Sequence, residues 1–301
     1  MRHLSILFLI FLIITISGCI QGETPIVSTK DGLDITDFSF EYSPIYTGES
    51  IGLRLEVQNV GGSDAKLKNI QIYGVDFGTS NTYWNIRDSG SQVLSVNEEL
   101  YRPNPEINLE GAEYHYEWRL KSPSGVTSET DYDFRVRVDY SYVTTYTGII
   151  RLVDEDYLLS LSEEEREKLY GSGGIISSET TNGPISVTPF SGTHFIVEST
   201  EPRTIKFKIE NVGKGYPYTC PDGLYCTNDN DNAQKYNLNI DTSGNVTCPN
   251  SVKLSSGKSH IIYCTFYPVL VENKVDKTFQ IELEYSYYVD DSTSITVKPI
   301  Y

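Results

Sequence analysis

Leu53-Arg54-Leu55-Glu56-Val57-Gln58-Asn59-Val60-Gly61 and Ile205-Lys206-Phe207-Lys208-Ile209-Glu210-Asn211-Val212-Gly213 are two copies of one pattern. Both alternate apolar and polar residues, and both end in Asn-Val-Gly. A second pair follows in the same order: Phe134-Arg135-Val136-Arg137-Val138-Asp139-Tyr140-Ser141-Tyr142 and Phe279-Gln280-Ile281-Glu282-Leu283-Glu284-Tyr285-Ser286-Tyr287. The offsets between copies are 152 and 145 residues, far too long for a solenoid repeat, so the chain is read as a duplicated domain. Period-two alternation makes each segment a strand with one dry and one wet face. Phe134, Val136, Val138, Tyr140 and Tyr142 share the dry face; Arg135, Arg137 and Asp139 face water. Such strands belong to antiparallel sheets packed face to face.

Further strands are expected at 35–42, 66–73, 113–121 and 185–190, with 146–153 and 293–300 closing the copies. Composition agrees. The chain carries 23 Tyr against 11 Phe and 2 Trp, and Tyr, Ile, Val and Thr favour strands. About seven short strands per unit is the immunoglobulin-like pattern. The fold class is therefore all-β: two tandem immunoglobulin-like antiparallel β-sandwiches, with one short helix in the connecting segment. Ser162-Glu163-Glu164-Glu165 reads as the capping box of that helix, with Leu161 and Leu169 available to dock it. Gly171 to Pro184 is rich in Gly, Ser and Thr and reads as a flexible linker.

Gly48-Glu49-Ser50 leading into Leu53–Val57, Asn59-Val60-Gly61 and Ala65 resembles the start of CARDB-type domains. These are Ig-like modules of bacterial and archaeal surface proteins associated with adhesion. The second copy departs from the pattern: Glu201-Pro202-Arg203 stands where Gly-Glu-Ser would, and a cysteine-bearing insertion follows Gly213. The resemblance implies a surface module and carries over no binding site.

The N-terminus gives a location. Arg2 precedes an apolar run, Leu4 to Ile16, too short to span a bilayer comfortably. Ile16-Ser17-Gly18-Cys19 then resembles the lipobox of prokaryotic lipoproteins, in which the cysteine receives lipid and becomes the mature N-terminus. The resemblance implies an extracytoplasmic protein, lipid-anchored to the cell membrane through Cys19. The division expected along the chain is 1–18 signal peptide, 19–33 tether, 34–155 first Ig-like domain, 156–183 helix and linker, and 184–301 second Ig-like domain with its insertion. Each domain is expected to fold independently.

Lys and Arg total 24 against 41 Asp and Glu, a net charge of −17. So acidic a surface repels phosphate backbones and anionic headgroups, which argues against nucleic acid as a partner. Of five cysteines, Cys19 is the odd one; Cys220, Cys226, Cys248 and Cys264 lie close together. In an oxidising compartment they are read as disulfides. Cys248 and Cys264 flank an expected hairpin, Val252-Lys253-Leu254 with Ser259 to Tyr263, and fall opposite each other on its apolar side. Cys220 and Cys226 enclose a short turn-like loop, so the expected bridges are Cys248–Cys264 and Cys220–Cys226. Four cysteines allow three pairings, and the spacing also leaves a zinc site as a rival that matches no standard pattern.

Asn228, Asp229, Asn230, Asp231 and Asn232 superficially resemble a Ca²⁺ loop, but Ala233 and Gln234 fall where a ligand and a glycine are required. Asn245-Val246-Thr247 is a sequon beside Cys248, so Asn245 is a candidate glycosylation site. His115, His194 and His260 have no neighbouring His or Cys at ligand spacing, and pairs such as Asp154 and Asp156 are read as solvated acid. No catalytic residue, metal or cofactor is assigned. The tyrosine stripes fit core packing better than a sugar-binding face. The functional reading is a non-catalytic interaction, adhesion or envelope-structural role with a protein or envelope partner. A ligand-binding lipoprotein, for carbohydrate or as a transporter accessory, is the alternative; a secreted hydrolase is the other.

Overall fold

The computed structural model describes residues 31–88, 90–171, 175–190, 202–219 and 234–300. In the first half the strands are β1 (Leu33–Phe40), β2 (Ile45–Tyr46), β3 (Ser50–Asn59), β4 (Ala65–Tyr73), β5 (Asn85–Ile86), β6 (Val93–Leu100), β7 (Glu113–Lys121) and β8 (Thr130–Val153). Two short helices follow, α1 (Glu155–Ser160) and α2 (Glu163–Gly171), then β9 (Ile175–Thr180). The second half holds β10 (Ile185–Pro189), β11 (Arg203–Asn211), β12 (Tyr216–Thr219), β13 (Gln234–Lys235), β14 (Asn237–Ser243), β15 (Val246–Thr247), β16 (Ser251–Lys253), β17 (Ser259–Phe266) and β18 (Lys274–Lys298).

The architecture is all-β. Two outer sheets, ordered β1-β3-β7-β5 and β10-β11-β17-β15, show the same topology twice. The registers match as well. Leu33 pairs with Asn59 in β1–β3, and Ile185 with Asn211 in β10–β11. Gln58 pairs with Glu113 in β3–β7, and Glu210 with Ser259 in β11–β17. Both outer sheets pack on one large sheet, in which β18 and β8 lie side by side at the centre.

That central pairing corrects the expectation of two independently folding units. β8, of 24 residues, pairs antiparallel with β18 along its whole length, from Thr130 opposite Val297 to Val153 opposite Lys274. The segments 146–153 and 293–300, expected as separate closing strands, are continuations of the repeat strands before them. Each long strand therefore starts in one sandwich and ends in the other. Tyr146, from the first repeat strand, packs edge-on to Phe207 of the second half at 5.4 Å and lies 5.9 Å from Phe279. Val297, from the second, is fully buried and pairs with Ile45 of β2 in the first half. Among the described residues, buried side chains of both halves belong to one continuous core.

An approximate two-fold axis relates the halves. Ser141 pairs with Ser286, its own counterpart in the repeat. Around this point Tyr140, Tyr142, Tyr285 and Tyr287 form a ring of contacts with centroids 5.7 to 6.2 Å apart. The stripes are thus core, as the sequence pattern favoured. Burial pushes the phenols of Tyr140, Tyr285 and Tyr287 above the usual tyrosine range.

Three other expectations change. The last residues of the expected tether belong to the body: Leu33 is fully buried, and the Gly32 carbonyl accepts from Val60 and Gly61 N–H. Part of the expected linker is β9, which pairs with β8 from Tyr146 to Ile150. The hairpin expected over 252–263 keeps its turn, with Ser255 bridged antiparallel to Ser259, but its arms diverge: β16 pairs with β14 in the large sheet, while β17 pairs with β11 and β15 in the outer sheet. The chain there crosses between layers because Val252 and Ile262 both point into the space between the sheets. The capping box is present, with Ser162 N–H donating to Glu165 Oε2 at 3.0 Å and Glu165 N–H to Ser162 Oγ at 3.4 Å. Leu158 of α1 is the helical side chain that is buried among those described; Leu161 and Leu169 are half-buried.

Two outcomes follow from the shared core. Both tryptophans, Trp84 and Trp118, lie in the first half, so their fluorescence reports that half alone. In urea, the fluorescence and far-UV circular dichroism transitions are expected to coincide. Phe279→Ala, in the second half, should destabilise the protein by about 3–5 kcal/mol and shift the tryptophan transition by as much as the dichroism transition. Two separated transitions would refute the single unit. The buried tyrosines also set an alkaline limit. Their folded pKa values lie above those of the unfolded chain, so the stability they confer is intact below about pH 10 and falls as pH rises beyond it. Absorbance at 295 nm should show one group of phenols ionising only as circular dichroism reports unfolding.

Candidate functional site

A concavity lies on the outer face of the central sheet, where the approximate two-fold axis emerges. Alternation puts the tyrosine ring inside, so Ser141 and Ser286 point outward. Two small side chains opposite each other leave a depression, of about 350 Å³. Thr219 and Asn239 of the second half line one side; Val143 and Glu284 extend the floor along the two long strands. Lys68 closes the other side.

Lys68 reaches the site because β4 carries a β-bulge. Leu67 pairs with Tyr140 and Asn69 with Asp139, so Lys68 is an extra residue opposite nothing. Its ammonium crosses over β8 and donates to Ser286 Oγ at 2.7 Å. Burial weakens the ammonium and lowers its pKa, an effect the nearby Asp139 carboxylate opposes. Asp139 is buried, and Tyr218 donates its hydroxyl to Asp139 Oδ1 at 3.0 Å. Glu284, the counterpart of Asp139 in the other half, is exposed.

The two-fold relation is broken at the bulge. Tyr218 pairs with Ser286 as Lys66 does with Ser141, and Asn239 pairs with Glu284 as Asn69 does with Asp139. The single residue Lys68 in the first half thus corresponds to the whole stretch 220–238 in the second. Thr219, the last described residue before that stretch, and Asn239, just after it, both line the cavity.

Among the residues singled out from sequence, the structure brings together one pair. Cys248 and Cys264 form a disulfide, with Cα atoms 4.2 Å apart. The pairing is as expected but the strands differ: Cys248 follows β15, and continues the β15–β17 register after Thr247 opposite Thr265. In the first half, the residue at the place of Cys264 is Trp118, also buried. A ring fills there what a disulfide fills here. Cys19, Cys220, Cys226, His194 and the Asx-rich loop at 228–232 lie outside the described residues. Asn245 is half-buried in the turn after β14, where its carbonyl accepts from Tyr267 N–H at 2.8 Å. His115 sits exposed between Glu56 and Glu113, at 3.5 and 3.3 Å; His260 is exposed on β17. Asp154 is the N-cap of α1, accepting from Tyr157 N–H at 3.0 Å. Among the described residues no three His, Cys, Asp or Glu side chains gather to hold a metal, and no helix is long and apolar enough to cross a membrane.

Sequence reasoning missed the cavity. A signal was present: in Ala65, Leu67, Ile70 and Ile72 the apolar spacing slips from two to three at Lys68-Asn69, which is how a bulge reads in sequence.

No family model matches the chain, and no curated protein matches its sequence. Among solved structures, red sea bream transglutaminase is 12% identical with a TM-score of 0.20, over 90% of this chain and 31% of that one. Escherichia coli alpha-2-macroglobulin activated by porcine elastase is 11% identical with a TM-score of 0.20, over 89% and 32%. The CupB6 tip adhesin from Pseudomonas aeruginosa is 8% identical with a TM-score of 0.19, over 89% and 97%. The chain spans about a third of the length of the first two. Likeness at this level carries no argument about function.

The disulfide yields a measurable expectation. Its closed loop spans 16 residues, for which loop-closure entropy predicts about 3 kcal/mol of stabilisation. Cys248→Ala/Cys264→Ala should lower the denaturation free energy by about that amount. Because the core is shared, the tryptophans of the first half should register the loss too.

Proposed function

We propose that this chain is an extracytoplasmic protein held at the membrane by lipid on Cys19, with a non-catalytic interaction, adhesion or envelope-structural role. The observation that carries the reading is the Cys248–Cys264 disulfide. A disulfide persists where the compartment is oxidising, and the leader ending in Ser17-Gly18-Cys19 directs the chain there. The CARDB-like Asn-Val-Gly segments belong with such a location, and the charge of −17 turns the surface away from nucleic acid.

The fold suits a role in display. Two sandwiches joined by strands of 24 and 25 residues behave as one stiff body, roughly 80 Å along the pair at strand rise. A stiff spacer holds whatever it presents at a fixed distance from the bilayer. Two lipid chains, or one chain with added contacts, are needed for stable retention.

Membrane fractionation tests the anchor. The wild-type chain is expected in the membrane fraction with Cys19 as a lipid-modified N-terminus by intact mass. Cys19→Ser should release the protein or leave the leader attached. Unchanged processing and retention in that variant would overturn the proposal.

A further inference from the structure

The cavity at the two-fold axis holds two opposite charges that do not satisfy each other. Lys68 has Ser286 Oγ as its hydrogen-bond acceptor among the described residues, a neutral partner for a group with three N–H bonds. Glu284 lines the same cavity, exposed, and forms no ion pair among the described residues. Ammonium and carboxylate are therefore presented to solvent from one depression, with the hydroxyls of Ser141 and Thr219 and the amide of Asn239 around them.

The spacing is informative. The Lys68 ammonium is held at Ser286, and Glu284 lies two residues away on the same face of the same strand, so the Cα atoms of Ser286 and Glu284 stand roughly 7 Å apart at strand rise. A simple anion would meet Lys68 but be repelled by Glu284; a simple cation would meet the reverse. A molecule carrying a carboxylate and an ammonium one carbon apart spans that gap, with charge-assisted hydrogen bonds of about 2.8 Å at both ends. A volume of about 350 Å³ falls at the small end of ligand pockets.

We propose that this cavity is a binding site for a free α-amino acid, its carboxylate held by Lys68 and Ser286 and its ammonium by Glu284 and Asn239. The duplication supplies the means. An exact two-fold would place like groups on both sides of Ser141 and Ser286. Instead the bulge lays Lys68 over one side of the site, while Thr219 and Asn239 line the other. The inference concerns the folded body and stands with or without the lipid anchor.

Isothermal titration of the full chain in detergent, against a panel of neutral free L-amino acids, tests it. At least one is expected to bind at a single site. Its N-acetyl derivative and its methyl ester, each lacking one charge, should bind at least tenfold more weakly. Lys68→Met and Glu284→Gln should each weaken binding at least tenfold with the melting temperature unchanged; Glu284, being exposed, keeps the test valid if Lys68→Met perturbs folding. Absence of binding across the panel, equal binding of the derivatives or of acetate alone, or full affinity in Glu284→Gln would each overturn the proposal.

Discussion

The pairing of β8 with β18 is the constraint on which the rest of the molecule depends. A strand pair of this length has its register fixed by which face is buried, since a slip of one residue turns every side chain over. Here both faces carry consequences. Inward, Tyr140, Tyr142, Tyr285 and Tyr287 meet as a ring in the core; outward, Arg137 reaches Asp290 at 2.7 Å and Arg151 reaches Asp276 at 2.8 Å across the pair. These ion pairs are partly exposed and contribute little energy each, but a slipped register would oppose the wrong side chains at both. The same register sends Tyr146 into the second sandwich and Val297 into the first. The two units are reciprocally exchanged, as the protomers of a two-fold dimer are when they swap strands, but within one chain.

A duplicated fold with a two-fold axis has one place where the copies face each other across identical residues, and that is where a departure from symmetry creates something neither copy has. At Ser141 and Ser286 the departure is a difference in chain length. One residue in β4 bulges outward and lays Lys68 across the sheet; at the equivalent point the other copy has a longer stretch between Thr219 of β12 and Asn239 of β14, within which β13 pairs back on β12. Asp139 is buried beneath Tyr218, whereas its counterpart Glu284 is left exposed. Two equivalent acids are thus given unlike environments by what the two copies put over them.

Much of this was readable from sequence, and the limits have physical causes. Alternation identified the strands and the dry face of each, because period-two patterning records burial directly. The repeat gave the shared topology. What alternation does not record is which strand a strand pairs with: 134–142 and 146–153 read as two short elements because Thr144 and Thr145 interrupt the apolar pattern. Thr144 is nevertheless fully buried, its hydroxyl 2.7 Å from that of Tyr285, so a polar residue there marks a hydrogen bond rather than a strand end. The Cys248–Cys264 pairing was recovered because parity placed both sulfurs inside, although the expected hairpin was not the route that joins them. The cavity escaped because it depends on a bulge in one strand meeting serines on two others, a relation that exists only once the sheet is assembled.

The two repeated landmarks turn out to be halves of one structural joint. In the second copy, Tyr287, near the middle of β18, donates its hydroxyl to Asn211 Oδ1 of the Asn-Val-Gly segment at 2.8 Å. Asn211 Nδ2 in turn donates to the Gly215 carbonyl at 2.8 Å, closing the loop that follows β11. In the first copy the equivalent Tyr142 hydroxyl accepts from Ser63 N–H at 3.0 Å, and the Ser63 carbonyl accepts from Asn59 Nδ2 at 3.0 Å. Tyrosine and asparagine meet directly in one copy and through one residue in the other. Phenylalanine at either tyrosine would fill the same core volume and leave these half-buried partners without their bond, costing about 1 kcal/mol for each hydrogen bond lost. The abundance of tyrosine over phenylalanine therefore reflects, at this joint, a core thin enough that the far end of each ring arrives where backbone must be tied. The outer sheet is fastened to the central one at that point in both halves, so the two repeated motifs meet in space although they stand far apart in the chain.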